Sequence, residues 1–166
     1  GEAFGRGELF LTDLMFAAEA MKAAVSLVEP ILESKHKQRE FRGVYLIGTV
    51  EGDIHDIGKS MVAATLEANG FKVIDLGADV PSSVFLTRSE ELKPDILGMS
   101  ALLSTTMLQQ KIVAEALLTR GLRKKLKVMV GGAPVSADWA AEIGADAYGV
   151  DANDAAKKAL DLVVSR

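Results

Sequence analysis

From residue 43 onward, short apolar runs alternate with longer segments of helical periodicity. The runs are continuous stretches of Val, Ile and Leu type, at 44–50, 72–76, 95–99, 127–131 and 146–150. Continuous apolar runs are typical of strands in a parallel sheet that is covered by helices on both faces. Five strand–helix units of this kind predict an α/β fold with a doubly wound parallel sheet.

The segments between these runs predict the helices and the order of the strands. Helical patterns occupy 57–69, 82–92, 104–120, 136–143 and 152–164. Gly70 and Gly121 are expected to end helices, and Ser104 is a candidate N-cap. The best topology for such a chain is the flavodoxin-like order 2-1-3-4-5, with a switch point between strands 1 and 3.

Three loops with functional side chains are expected at the carboxyl edge of this sheet. They are Glu51–Asp56, Ser100–Thr106 and Gly131–Ala133. The loops that follow strands 1, 3 and 4 converge at the edge where open α/β sheets bind ligands. The sequence therefore predicts a ligand site built from these loops.

Each loop offers a different chemistry, and each also has an ordinary structural explanation. The imidazole of His55 is a natural metal ligand, and the nearby carboxylate of Asp53 could orient it. A single loop histidine is nevertheless more often a surface residue, a glycine pair after a strand is usually a turn, and hydroxyls before a helix are often caps. Their joint placement at one edge favours a binding site, but composition does not name the ligand.

Composition excludes several classes of function. The 166 residues carry a net charge of −4, and no basic stretch is long enough to predict nucleic-acid binding. The absence of cysteine excludes disulfides, thiolate metal sites and iron–sulfur clusters within this chain. No apolar run has the length of a membrane span and no signal peptide is visible, so a cytoplasmic protein is expected.

The segment before the alternating pattern predicts a separate helical unit. Apolar residues recur at helical spacing over 8–33, and one amphipathic helix cannot bury its own apolar face. The polar stretch 34–42 is expected to be a linker. The predicted organisation is thus a helical segment over 1–33, a linker over 34–42 and an α/β domain over 43–166.

The motifs also resemble those of a known family. Asp53-x-His55-x-x-Gly58, followed by Ser100-x-Leu102 and Gly131-Gly132, resembles the signature of cobalamin-binding domains in methyltransferases and mutases. The helical segment resembles the final helices of the four-helix cap in methyl-carrying corrinoid proteins of methanol, methylamine and methoxy-aromatic methyltransferase systems. Methionine synthase contains a similar module. Only about half of such a cap is present, so its first helices are expected to be missing.

The resemblance implies a cobamide cofactor and assigns residues to it. His55 would be the lower axial ligand of cobalt, Asp53 would hydrogen-bond its other ring nitrogen, and one hydroxyl among Ser104, Thr105 and Thr106 would extend that relay. The slot for the displaced nucleotide tail would be lined by Gly58, Ser100, Leu102, Gly131 and Gly132, whose glycines leave room for the tail. The motif also brings Asp56 and Ile57 to the cofactor, and Leu14, Met15 and Phe16 are candidates for the upper face.

The implied function is that of a methyl carrier that is not catalytic alone. A substrate-specific methyltransferase would methylate Co(I), and a second one would pass the methyl group to tetrahydrofolate or a thiol such as coenzyme M. A reductive activator of Co(II) is an expected third partner, whereas nucleic acid and membrane are not expected. The overall resemblance favours a methoxylated aromatic as methyl donor, although no residue specifies it. The alternatives are a B12-dependent light-sensing or regulatory module and the cobalamin-binding subunit of a mutase.

Overall fold

The structure is a computed structural model that describes residues 8–10, 12–13, 16–17, 19–20, 23–24, 27 and 41–164. The chain divides into two compact units, Gly1–Phe41 and Arg42–Arg166. In the first unit, every described residue from 12 to 27 is helical. Of the predicted linker, only residues 41 and 42 are among those described. No helix in the described parts of the chain is both long and apolar enough to cross a membrane.

The second unit is a five-stranded sheet in which all neighbouring strands are parallel, in the order β2-β1-β3-β4-β5. The strands are β1 Val44–Thr49, β2 Lys72–Asp75, β3 Ile96–Ser100, β4 Lys127–Gly131 and β5 Ala147–Gly149. The helices are α1 Ile57–Ala68, α2 Ser82–Leu92, α3 Ser104–Thr119, α4 Ala137–Glu142 and α5 Ala152–Val164, with a short 3-10 helix at Leu122–Lys124. The predicted fold class and strand order are confirmed.

The two faces of the sheet pack against different helices. Leu46 and Leu97 belong to a core cluster that includes Phe85 of α2 and Leu117 of α3. Their strand neighbours point the other way, into a second cluster with Leu66 of α1 and three alanines of α5. This alternation follows from the two-residue period of a strand. The residues that α5 buries in this second cluster are thus all alanines.

The element ends differ from the predicted ones by one residue at several places, and two of these differences concern the site. Ser100 is the last residue of β3 rather than the first of a loop, and it pairs with Thr49 on one side and Gly131 on the other. The N-cap of α3 is Leu103, so the prediction for Ser104 is wrong: Ser104 is the first helical residue and no side chain caps this helix.

Candidate functional site

The loop after β1 is organised around the carboxylate of Asp53, which is 1% exposed. Its Oδ1 accepts hydrogen bonds from the His55 backbone N–H at 3.1 Å and from His55 Nδ1 at 2.7 Å. Its Oδ2 accepts from the backbone N–H of Leu102 and from the hydroxyl of Thr106, each at 2.7 Å. The predicted hydrogen bond between the imidazole and Asp53 is present, and the same carboxylate joins the loops after β1 and β3.

These hydrogen bonds keep Asp53 ionised and set the tautomer of His55. Burial alone would raise the pKa of Asp53, but the hydrogen bonds from Thr106, Leu102 and His55 outweigh it and hold the pKa well below its usual range. With a carboxylate as acceptor, Nδ1 carries the ring proton and Nε2 keeps its lone pair. The His55 side chain is 49% exposed, and Nε2 has no hydrogen-bond partner among the described residues. Nε2 is therefore available as a metal ligand.

The structure selects one of the three hydroxyls that the sequence left open. Thr106 Oγ1 lies 2.7 Å from Asp53 Oδ2 and 3.0 Å from the Leu103 carbonyl oxygen. Its single proton can serve one acceptor at a time, and the charged carboxylate is the stronger one. Ser104 and Thr105 are exposed and do not line the cavity beside His55. Thr106 is therefore the hydroxyl that extends the Asp53–His55 pair.

The loop that carries His55 is also held by groups that the sequence did not indicate. The hydroxyl of Thr49 donates to the His55 carbonyl oxygen at 3.1 Å. Asp79, a non-glycine residue with a φ of 52°, accepts from the Gly52 N–H at 2.7 Å, and its own N–H donates to the Asp53 carbonyl oxygen at 2.9 Å. The loop after β2 thus braces the loop after β1, which restricts the positions that the imidazole can take.

A cavity of about 600 Å³ lies beside His55 and extends between the sheet and helices α1 and α5. Its volume is within the range of about 300–1,000 Å³ that is usual for ligand pockets. The predicted site residues that line it are His55, Asp56, Ile57, Gly58, Ser100, Leu102, Gly131 and Gly132. The three loops predicted to converge therefore share one cavity.

One wall of this cavity was not predicted from the sequence. It consists of strand residues, Tyr45 and Ile47 of β1, Gly98 of β3, Met129 of β4 and Gly149 of β5. The sequence placed these residues on strands but gave no sign of which face would be open. A glycine inside a strand often marks a close approach, and that signal was available at Gly98 and Gly149.

The rim of the cavity is apolar although it faces solvent. Ile54, Ile57 and Val150 are 77%, 63% and 67% exposed, and Leu102 is 43% exposed. These side chains come from the loops after β1, β3 and β5, so they form a patch around the cavity mouth rather than isolated exposures. Exposed apolar patches of this kind mark binding surfaces, and this one suits a broad ligand with apolar edges.

Gly58 and Gly132 line the cavity for different reasons. A Cβ on Gly58 would meet nothing within 4 Å, so the protein itself does not require a glycine there, and its predicted role of making room for a ligand stays a prediction. A Cβ on Gly132, where φ is +124°, would lie 1.8 Å from the Ala101 carbonyl oxygen. The explanation that Gly132 makes room for the cofactor tail is therefore replaced by a backbone requirement: no side chain fits there even without a ligand.

The stability of the protein in acid should depend on whether Asp53 is ionised. Replacing Asp53 with asparagine is expected to lower the free energy of unfolding at pH 7 by about 2 kcal/mol, because four donors lose a charged acceptor. Since the folded-state pKa is depressed, this stabilisation is complete above the unfolded pKa of about 4 and is lost as pH falls towards the folded value. The free energies of unfolding of the wild-type and Asp53→Asn proteins, measured by urea denaturation between pH 7 and pH 3, should become more alike as the pH falls. A difference in free energy of unfolding that stays constant with pH would contradict this prediction. The control is Glu51→Gln, which removes an exposed carboxylate from the same loop.

Comparison with known proteins agrees with this site. Residues 43–159 match the profile of a family described as B12 binding domain, and residues 1–29 match a second profile with the same description. The described residues contain no group of three or more His, Cys, Asp or Glu side chains that could hold a metal ion. The single imidazole of His55 is thus presented without the cluster of ligands that a metal site built from protein side chains alone would need.

Individual relatives extend over nearly the whole chain. The trimethylamine corrinoid protein of Methanosarcina barkeri is 51% identical over 95% of this chain and 73% of its own length. The monomethylamine corrinoid protein of the same organism has a solved structure with a TM-score of 0.69, 41% identity, and coverage of 98% of this chain and 76% of that one. The methanol:cobalamin methyltransferase complex of M. barkeri contains a chain with a TM-score of 0.89 and 34% identity, covering 99% of this chain and 62% of that one. This protein therefore belongs to the family of B12-binding corrinoid proteins.

Proposed function

We propose that this protein is a corrinoid methyl carrier that binds a cobamide at the carboxyl edge of its sheet. His55 carries the proposal: its Nδ1 is held by buried Asp53, and its Nε2 is available at the cavity. An imidazole nitrogen is a good ligand for cobalt. When bound, the corrinoid supplies the cobalt that takes a methyl group from one methyltransferase and gives it to another.

The residues of the site have separate tasks in this proposal. His55 would hold the cobalt in place of the cofactor's own base, while Asp53 and Thr106 orient the imidazole ring. The cavity past Gly58 would hold the cofactor's displaced nucleotide tail, and Gly58 has no side chain that would narrow the entrance. The apolar rim, in which Ile54 is the most exposed side chain, would hold the edge of the corrin.

The N-terminal unit is proposed to be part of a helical cap. Residues 1–33 would form the end of a helical cap, 43–166 the binding domain, and the linker 34–42 the hinge that lets the cap move aside for each partner. The candidates for shielding the methyl group are Leu14, Met15 and Phe16; Leu14 and Met15 lie outside the described residues, and Phe16 is helical.

We propose a methylated amine as the methyl donor. The overall resemblance of the sequence favoured a methoxylated aromatic, but relatives that match almost the whole chain are named for trimethylamine and monomethylamine. The proposed partners are an amine-specific methyltransferase, a second methyltransferase acting on tetrahydrofolate or a thiol, and a reductive activator of Co(II). The same relatives favour a carrier over the light-sensing module and the mutase subunit.

Methyl transfer can be tested with separate donor enzymes. The full chain, loaded with a cobamide and reduced, should take up the methyl group of trimethylamine in the presence of a trimethylamine-specific methyltransferase, as followed by the visible spectrum. Methanol and a methoxy-aromatic compound, each with its own methyltransferase, test the other donors. Uptake from the methoxy-aromatic compound alone would overturn the amine assignment, and no uptake in any system would overturn the carrier function. A sample of the same cobamide and methyltransferase without this protein is the blank for each spectrum.

A further inference from the structure

Tyr45 occupies an unusual place in the cavity wall. The residue is 2% exposed, yet it lines the cavity. Its ring lies over Gly98, because a Cβ on that glycine would be 2.5 Å from Tyr45 Cε1 and 2.6 Å from its hydroxyl oxygen. The ring also packs edge-to-face against Phe71, with centroids 6.2 Å apart and an interplanar angle of 86°. The hydroxyl is therefore held in place, with little freedom to turn elsewhere.

The Tyr45 hydroxyl has no hydrogen-bond partner in the described part of the chain. It is not sealed off either, since Ser89 Oγ is the one buried side-chain N or O atom among the described residues that is both enclosed and unpaired. The Tyr45 oxygen must consequently reach the free space of the cavity. Burial also raises the pKa of Tyr45, so the group stays protonated and acts as a donor.

Because the hydroxyl opens onto the cavity and has no partner in the described part of the chain, a ligand that fills the cavity can accept its hydrogen bond. The surrounding wall, with Ile47 and Met129, is otherwise apolar and suited to an aromatic ring. The hydroxyl is thus a single polar group on an apolar wall. Pockets usually fix the orientation of a ligand with a few polar groups placed in this way.

We propose that Tyr45 determines which tail base the slot prefers: its hydroxyl donates a hydrogen bond to a polar atom of the base at the end of the cobamide's nucleotide tail. The slot then favours cobamides whose base carries an oxygen or nitrogen acceptor at that edge over cobamides whose base carries methyl groups there. This inference rests on the proposed binding of the tail in the cavity. Tyr45 would select among cobamides by the chemistry of the tail base, which His55 and Asp53 do not do.

The test compares two cobamides of matched size, one with 5-hydroxybenzimidazole and one with 5-methylbenzimidazole as tail base. Affinities are measured by visible-absorption titration of the full chain, with the EPR spectrum of the Co(II) form reporting the protein nitrogen ligand. The wild-type protein is expected to bind the hydroxylated cobamide about 3- to 10-fold more tightly, the effect of one hydrogen bond. Tyr45→Phe should abolish that preference, and cobinamide, which lacks the tail base, should bind both proteins equally.

Ser89→Ala provides a control, because it removes an unpaired hydroxyl that is enclosed on α2, away from the cavity. It should leave the preference between the two cobamides unchanged. Equal affinities in the wild-type protein, or a preference that survives in Tyr45→Phe, would overturn the role of Tyr45 while leaving the carrier function intact. Failure of both cobamides to show a protein-derived nitrogen ligand would instead overturn the proposed function. Because the wild-type comparison needs no variant, the inference remains testable even if Tyr45→Phe is poorly folded.

Discussion

Replacement of His55 by alanine is expected to abolish nitrogen ligation of cobalt by this protein. Loss of a group behind a metal ligand typically costs 10–100-fold in affinity, so loss of the ligand itself should weaken cobamide binding by about 100-fold or more. In the EPR spectrum of the Co(II) form, wild-type protein labelled with ¹⁵N should show doublet rather than triplet nitrogen coupling. That change identifies a nitrogen from the protein and excludes the cofactor's own base.

The chain supplies a matched control for this experiment. His36 is the only other histidine in the sequence, so His36→Ala removes the same side chain and should leave both the coupling and the affinity unchanged. Nitrogen coupling that persists in His55→Ala, or that stays a triplet in labelled wild-type protein, would refute the assignment of His55. Circular dichroism of the ligand-free variants would show that a loss of binding is not a loss of fold.

Replacement of Gly132 by alanine is expected to be the most damaging glycine substitution at the site. The added Cβ would lie 1.8 Å from the Ala101 carbonyl oxygen and 2.7 Å from its carbon, both backbone atoms that cannot turn away. Overpacking and an unfavourable φ each cost about 1–3 kcal/mol. The free energy of unfolding of the ligand-free protein should therefore fall by roughly 3 kcal/mol or more, measured by urea denaturation.

Gly58→Ala is the informative counterpart, because the two glycines line the same cavity. A Cβ at Gly58 meets nothing within 4 Å, and this residue lies in helix α1, where alanine is favoured over glycine by about 0.5 kcal/mol or more. Gly58→Ala should leave the ligand-free fold as stable or slightly more stable while weakening cobamide binding. If Gly132→Ala folds normally, or Gly58→Ala destabilises the ligand-free fold, the distinction between a backbone requirement and room for the ligand is wrong.

Much of the fold could be predicted because its signals are local. The continuous apolar runs predicted all five strands of the sheet, and the parallel order followed from the strand–helix alternation. The contact between Asp53 and His55 was also predictable, since the two residues are separated by a single position in one loop. The element ends were less certain, and the cap of α3 was misplaced because a serine before a helix resembles a cap whether or not it is used.

The selection of Thr106 shows where local signals end. Ser104, Thr105 and Thr106 are adjacent and chemically alike, but only Thr106 faces inward from the first turn of α3 and contacts Asp53, 53 residues away in the chain. The contact from Asp79 is also long-range, because its side chain accepts a hydrogen bond from Gly52 and so joins the loops after β1 and β2. The backbone of Asp79 is left-handed, which its residue type does not announce. No pattern in the sequence identifies such a contact.

The sequence by itself determined the strands, their order, the converging loops and the histidine–aspartate pair, because periodicity, turn residues and short spacings act within a few residues. The tertiary structure alone decided which face of the sheet is open, and with it the wall formed by Tyr45 and Gly98. The physical reason is register: side chains alternate between the faces of a strand, and the pairing of Tyr45 with Ile96 decides which residue of β3 meets the tyrosine ring. A hydroxyl with no partner becomes visible as a candidate specificity determinant only after that register is known.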